Sequence, residues 1–279
     1  MSPLTWKLSG FGDEIDPDPV IQSAVLEALG ARFLEVRSAW GVNVVDLESE
    51  QLDELARLLE HRGMRVSAIA SPVGKVDVSL PVEHELERLG RAIAAAHRLE
   101  APFIRIFSFY RADGRPAAAI RDDVLERMSA LALLAEREGV TLLHENEKDI
   151  YGDTPERVLD IVESVGSGRL RLAWDNANFV QVGVRPFSDG YAMLRPYLDY
   201  LQVKDAVAST GAVVPAGEGD GELLATLTAL RDDGYDGFAS LEPHLTDFTA
   251  LGGFSGPREF GRAARALRTI TDQIGVLLA

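Results

Sequence analysis

Short apolar runs alternate with helix-like stretches along the whole of this 279-residue chain, and the runs in its second half all end in charged groups. Val140-Thr141-Leu142-Leu143 leads straight into His144-Glu145-Asn146-Glu147-Lys148-Asp149-Ile150-Tyr151. Leu170 to Trp174 ends in Asp175, Tyr200 to Val203 in Lys204-Asp205, and Phe238 to Leu241 in Glu242. Strict strand–helix alternation selects an α/β fold, and eight repeats select a closed parallel barrel over an open sheet. Strands sharing one polar end place the chemistry of such a barrel at its carboxyl rim. The pattern predicts an enzyme.

The expected architecture is a single (β/α)8 TIM barrel over residues 1–279, close to the roughly 250 residues typical of that fold. Strands are predicted at Lys7 to Phe11, Phe33 to Arg37, Val66 to Ala70 and Phe103 to Phe107, then at the four runs above. Helices are predicted over Pro17 to Leu29, Glu48 to Arg62, Pro81 to Leu99, Ala118 to Glu138 and Pro155 to Val165. Gly190 to Leu198, Leu223 to Arg231 and Pro257 to Leu278 complete them; Gly30, Gly63 and Gly139 act as stops. Neither Gly10-Phe11-Gly12 nor the Gly217–Gly221 run has the dinucleotide fingerprint, so no nicotinamide cofactor is expected.

Composition excludes several functions. The chain has no cysteine, hence no disulfide framework and no thiolate zinc site. Lys and Arg total 28 against 44 Asp and Glu, a formal charge of −16. That surface repels phosphate backbones and anionic lipid, so no nucleic acid and no membrane partner is expected. No apolar run approaches the roughly 18 residues of a membrane span, and the N-terminus lacks a secretory layout. A cytoplasmic location is the expectation.

Side chains two apart on a strand share a face. If Glu145, Asp175 and Glu242 all face the barrel axis, their repulsion raises their pKa values unless a cation sits between them. One divalent metal satisfies them, with Gln202 offering a fourth oxygen. An oxygen-only set favours Mn²⁺, with Mg²⁺ or Co²⁺ as alternatives, over zinc. Taken singly, each of these is an ordinary loop carboxylate; three at one rim are not.

Of five histidines, His61, His84 and His97 fall on helices, while His144 and His244 stand at strand exits. His144 is the candidate acid/base, although it sits one residue off the inward register and reaches the cavity only if the chain bends. His244 is a weaker candidate that contacts substrate. Lys204, on the face of Gln202, should stand above the metal and clamp a substrate oxygen, with Glu147 or Lys148 orienting either end. Glu35 and Arg37 pair with each other or with a polar ligand. Arg105, costly in an apolar strand, is expected to pair with an inner carboxylate such as Glu35. Lys75 is a further ligand candidate.

These residues resemble the xylose-isomerase-like TIM-barrel superfamily, the sugar phosphate isomerases and epimerases, over nearly the whole chain. In that family a carboxylate after strand five, an Asp after strand six, a His on strand seven and a Glu after strand eight hold one metal. Leu143-His144-Glu145-Asn146, Trp174-Asp175 and Leu241-Glu242-Pro243-His244 match three of these; Gln202 stands where the His belongs. Asn178 stands where many epimerases carry another His. Within the superfamily the chain is most similar to the catalytic subunit of C-glycoside deglycosidases. Phe11 to Ile15, Ser71 to Lys75, Arg105 to Phe109, His144 to Asp153, Asn178 to Gln181 and Ser240 to Leu245 carry that resemblance. It implies a barrel working with a small β-rich partner subunit in an oligomer. Its substrates would be 3-oxo sugars joined by a carbon–carbon bond to an aromatic aglycone. The alternatives are a metal-dependent sugar isomerase or epimerase acting alone, with Glu145 and Glu242 as its two bases, and a non-catalytic carbohydrate-binding barrel.

Overall fold

The computed structural model describes residues 4–111, 114–246 and 253–279; the expectation about a leader rests in part on residues 1–3, which lie outside that set. Eight parallel strands line the barrel: β1 (Leu4–Gly10), β2 (Phe33–Val36), β3 (Arg65–Ala70), β4 (Phe103–Ile106), β5 (Thr141–Glu145), β6 (Leu170–Asp175), β7 (Leu198–Val203) and β8 (Phe238–Leu241). They pair in the order β1-β8-β7-β6-β5-β4-β3-β2. A parallel bridge between Phe11 and Glu35 joins β1 to β2 and closes the ring. The expected (β/α)8 barrel is the observed fold.

The helices are α1 (Pro19–Ala28), α2 (Ser49–His61), α3 (Val82–Arg98), α4 (Arg121–Glu138), α5 (Pro155–Val165), α6 (Asn176–Gln181), α7 (Leu223–Asp232) and α8 (Gly256–Ile274). Local chemistry sets their ends. Asp18 accepts the Val20 N–H at 2.8 Å and Pro19 supplies the first helical residue, so α1 starts two residues later than expected. At the other end of the chain the expected helix to Leu278 stops at Ile274. Gly275 takes φ 75°, and Val276–Leu278 becomes a strand, β9, alongside Leu4 to Trp6 of β1. The helix expected over 190–198 is instead three short helical turns over Pro186–Tyr197, the first opened by Pro186, and Pro196 keeps the last from continuing as a regular α-helix. α6 was not expected. Two short hairpins, Ser38–Asn43 and Asp205–Val214, decorate the carboxyl rim.

Outward-facing strand residues such as Leu34, Ile69, Leu142 and Leu201 pack under the helices through Leu26, Leu89, Ile161 and Leu267. Inside, Phe33, Ala68, Leu143, Ala173, Tyr200 and Phe238 fill the amino-terminal half of the barrel, with Phe103 against them. The strand period of two then dictates the next inward layer. Two residues beyond Phe33, Phe103, Leu143, Ala173, Tyr200 and Phe238 come Glu35, Arg105, Glu145, Asp175, Gln202 and Ser240. An apolar plug thus carries a charged layer directly above it. Among the described residues, no helix is long and apolar enough to cross a membrane.

Candidate metal centre and its surroundings

Glu145 ends β5, Asp175 ends β6 and Glu242 follows β8, and one carboxylate oxygen from each lies within 4.8 Å of the others. All three are buried. Gln202, on the strand between those of Asp175 and Glu242, stands opposite Asp175 in the ladder. Its amide nitrogen donates to Glu35 Oε1 at 3.3 Å. Its Oε1 is buried and has no hydrogen-bond partner among the described residues. Leaving an acceptor unmade there costs about 1–3 kcal/mol, which a bound cation would recover. The donor set therefore fits a divalent ion held by Glu145, Asp175, Glu242 and Gln202 oxygens.

Fixed cations already serve part of this cluster. Lys204 Nζ lies 3.0 Å from both Asp175 Oδ2 and Glu242 Oε2. Arg105 donates to Glu145 Oε2 at 2.9 Å and Arg37 to Glu242 Oε1 at 3.3 Å. Compensation is incomplete. Burial pushes Glu145 up to about 8 against the pull of Arg105, and Asp175 up to about 6 against that of Lys204. At Glu242, burial also raises the pKa, but Lys204, His244 and Arg37 together hold it well below the usual carboxylate range.

Most expected site residues converge here, with changed partners. Lys204, expected above the metal as a clamp for a substrate oxygen, pairs with Asp175 and Glu242 and lines the cavity. Asn178 donates to Glu145 Oε1 at 3.0 Å while its backbone N–H donates to Asp175 Oδ1 at 2.9 Å, so it holds both carboxylates. Lys75 and Glu147 form an ion pair of 3.0 Å. Together with Lys148, Asn178, Lys204 and His244 they line a cavity of about 530 Å³. Arg105 pairs with Glu145 rather than with Glu35. Glu35 and Arg37 do not pair with each other: Glu35 accepts from Tyr200 at 2.8 Å and Ser240 at 2.6 Å, whereas Arg37 reaches Asp13 at 2.8 Å. Burial pushes Glu35 up to about 7. Enclosed in that way, Glu35 supports Gln202 from below and does not line the cavity.

His144 is the main correction. β5 stays regular through Glu145, so the imidazole points away from the axis, against Gly152. It is fully buried, neither ring nitrogen has a hydrogen-bond partner among the described residues, and burial lowers its pKa to about 3. The bend that a catalytic His144 requires is absent. The residues that sequence reasoning passed over are Asp13, Glu14 and Asn146. Asn146 is hydrogen-bonded to the Asp175 backbone in both directions, at 2.9 and 3.0 Å. Asp13 and Glu14 follow β1 as the other acids follow their strands, and that repeated pattern was the available signal.

A family model of the xylose isomerase-like TIM barrel matches residues 23–271, and the chain belongs to that family. Over 148 residues it is 33% identical to 2-epi-5-epi-valiolone 7-phosphate 2-epimerase of Actinoplanes sp., a match covering 51% of this chain and 51% of that protein. The aligned stretch thus spans about half the length of this relative. A D-tagatose 3-epimerase-like protein superposes with a TM-score of 0.78 at 16% identity, covering 96% of this chain and 98% of the other. The IOLI protein, solved with a zinc atom, gives 0.75 at 17% identity, covering 96% and 98%. At such identities these two likenesses are of fold alone.

Proposed function

We propose that this chain is a divalent-metal-dependent enzyme that removes a proton next to a sugar carbonyl. The convergence of Glu145, Asp175 and Glu242, with the partnerless oxygen of Gln202 on the intervening strand, carries this reading. The 2-epimerase that matches over half of its own length supports it. The all-oxygen donors favour Mn²⁺, with Mg²⁺ or Co²⁺ next. A divalent ion there supplies Lewis acidity to a carbonyl oxygen and its neighbouring hydroxyl. The protein supplies the rest. Lys204 clamps a sugar oxygen at the cavity floor. Glu147 is the base: burial raises its pKa, but Lys75 and Lys204 outweigh that and keep it lowered, so it is ionised at neutral pH. Asn178 fixes Glu145, while Lys75, Lys148 and His244 wall the cavity.

The finer reading is a lyase that cleaves the carbon–carbon bond of 3-oxo C-glycosides, working with a small β-rich partner. Glu147 would take the proton from C2, a C1–C2 double bond forms, and the aglycone leaves with the electron pair of the broken C1–carbon bond and takes up a proton. Two observations favour it over an epimerase acting alone. Amides, Gln202 and Asn178, stand where the epimerase pattern carries imidazoles. The cavity also continues past Asn178 and Gln181 to the Thr210–Val213 hairpin, leaving room for an aglycone beside the sugar.

Incubation of Mn²⁺-loaded protein with a 3-oxo C-glycoside, and separately with free and phosphorylated ketoses in deuterated water, tests both levels. Aglycone release establishes the lyase. Deuterium entry into a ketose without aglycone release establishes the epimerase. Neither reaction, with metal bound, would leave a binding barrel.

A further inference from the structure

Beside the first cluster lies a second set of donors that the proposed chemistry leaves unused. Glu14 follows β1, and Glu242 and His244 follow the adjacent β8; one ligand atom from each lies within 4.8 Å of the other two. Glu14 is wholly buried. Its Oε2 accepts the His244 backbone N–H and the Ser255 hydroxyl, both at 2.8 Å. That leaves Oε1 facing the imidazole. His244 Nε2 stands 3.1 Å from Glu14 Oε1 and 3.4 Å from Glu242 Oε1. Close as they are, neither Glu14 Oε1 nor His244 Nε2 has a hydrogen-bond partner among the described residues. Ligands about 2.1 Å from a shared ion stand about 3.0–3.4 Å apart in octahedral or tetrahedral arrangements, which matches both separations.

We infer that Glu14, Glu242 and His244 form a second divalent-cation site, with Glu242 bridging to the Glu145–Asp175–Glu242 cluster. This inference rests on that cluster being a cation site. Glu242 is oriented for bridging: Oε2 faces Asp175 and Lys204, whereas Oε1 faces His244 and Arg37. Asp13, Glu14, Glu35, Glu145, Asp175 and Glu242 outnumber Arg37, Arg105 and Lys204 by three. Even with every group ionised, a first divalent ion leaves one negative charge and a second turns the balance to one positive, which also makes the second site the weaker. His244 is held at φ 45°, a left-handed conformation rare outside glycine, by the bond from its N–H to Glu14. Arg37, 3.3 Å from Glu242 Oε1, opposes a second ion, so this site is the weaker of the two. Its imidazole makes it more selective for Zn²⁺ over Mg²⁺ than the all-oxygen cluster.

Metal counting after chelation, reloading with excess Zn²⁺ and desalting tests the inference, with near-ultraviolet circular dichroism confirming the fold of each variant. Two ions per chain are expected in the wild type and one in His244→Ala, Glu14→Gln and Asp175→Asn. Reloading with Mg²⁺ alone should give a single ion in the wild type. One Zn²⁺ in the wild type, kept by His244→Ala and lost by Asp175→Asn, would overturn the second site and leave the first intact. Zinc content unchanged by both His244→Ala and Glu14→Gln would overturn it equally. No ion in any form would remove both sites.

Discussion

At its amino-terminal end the barrel is plugged by Phe33, Phe103, Tyr200 and Phe238, with ring centroids 4.9 to 6.3 Å apart. Two residues along the same four strands, the inward positions are Glu35, Arg105, Gln202 and Ser240. The three phenylalanines of the plug need no polar partner, because aromatic burial and edge-to-face contact are favourable on their own, and the one polar atom, the Tyr200 hydroxyl, is met by Ser67 and Glu35. The layer above needs a partner for every group, since a buried charge is costly unless paired. Its raised carboxylates show where pairing falls short. A hollow of about 680 Å³ below the plug has Lys7 and Arg65 stacked on Phe238 and Phe33, and among the described residues its lining carries only the carboxylates of Glu60 and Glu100. The apolar plug sits in one end and the candidate site in the other, and neighbouring positions of one strand can be tested against each other.

Glu242→Ala should have the largest effect, because this side chain belongs to the candidate metal cluster and also touches Lys204, Arg37 and His244. Bound metal should disappear and turnover fall by on the order of 10³-fold. Metal content equal to that of the wild type, by elemental analysis, would refute the cluster as drawn. Phe238→Ala, a few residues earlier on the same chain segment, should do the reverse. It should cost about 3–5 kcal/mol in denaturant unfolding while metal stoichiometry stays unchanged.

The buried carboxylates, raised by desolvation despite their partners, predict an unusual pH profile for metal-free protein. Glu35, Glu145 and Asp175 have raised folded-state values of about 7, 8 and 6, so the folded chain binds more protons than the unfolded one. Their contribution is complete below the usual carboxylate range and lost as pH rises through those values. The melting temperature without metal should therefore fall between pH 5 and 8. Glu242, lowered, acts oppositely, its contribution being lost only at lower pH. Saturating Mn²⁺ should flatten or reverse the slope; an identical fall with and without metal would count against the site.

A smaller change is expected from Gln202→His. Imidazole is the stronger donor, so affinity should rise about tenfold. Retention should fall more steeply below about pH 6.5, where protons compete for the ring. An unchanged affinity, by titration calorimetry, would place Gln202 outside the coordination sphere. Smallest of all is His144→Leu: turnover within about twofold, and stability within about 1 kcal/mol, because an apolar group replaces unpartnered polar atoms. A collapse in turnover with metal intact would return His144 to the chemistry.

Much of the site was legible from strand parity. Glu145, Asp175, Gln202 and Glu242 share a face with residues that fill the plug, and a period of two is readable without coordinates. The same parity argued against His144, whose neighbour to a carboxylate outweighed its register. Partners were less legible. Arg105 chose Glu145, the adjacent strand's acid, over Glu35, because its guanidinium reaches sideways along the rim. Glu14 was missed because its partners, His244 and Ser255, lie more than two hundred residues away.

The alternation of apolar runs and helices, with acids at the strand exits, determined by itself that this chain closes into a parallel barrel with a charged rim. Those are local properties: periodicity, turn residues and the side that each residue faces. Which charge meets which was decided only when β1 closed against β8 and β2. Ring closure brings Glu14 to His244 and Arg37 to Glu242, and an electrostatic contact depends on separations of a few ångströms that no local pattern encodes.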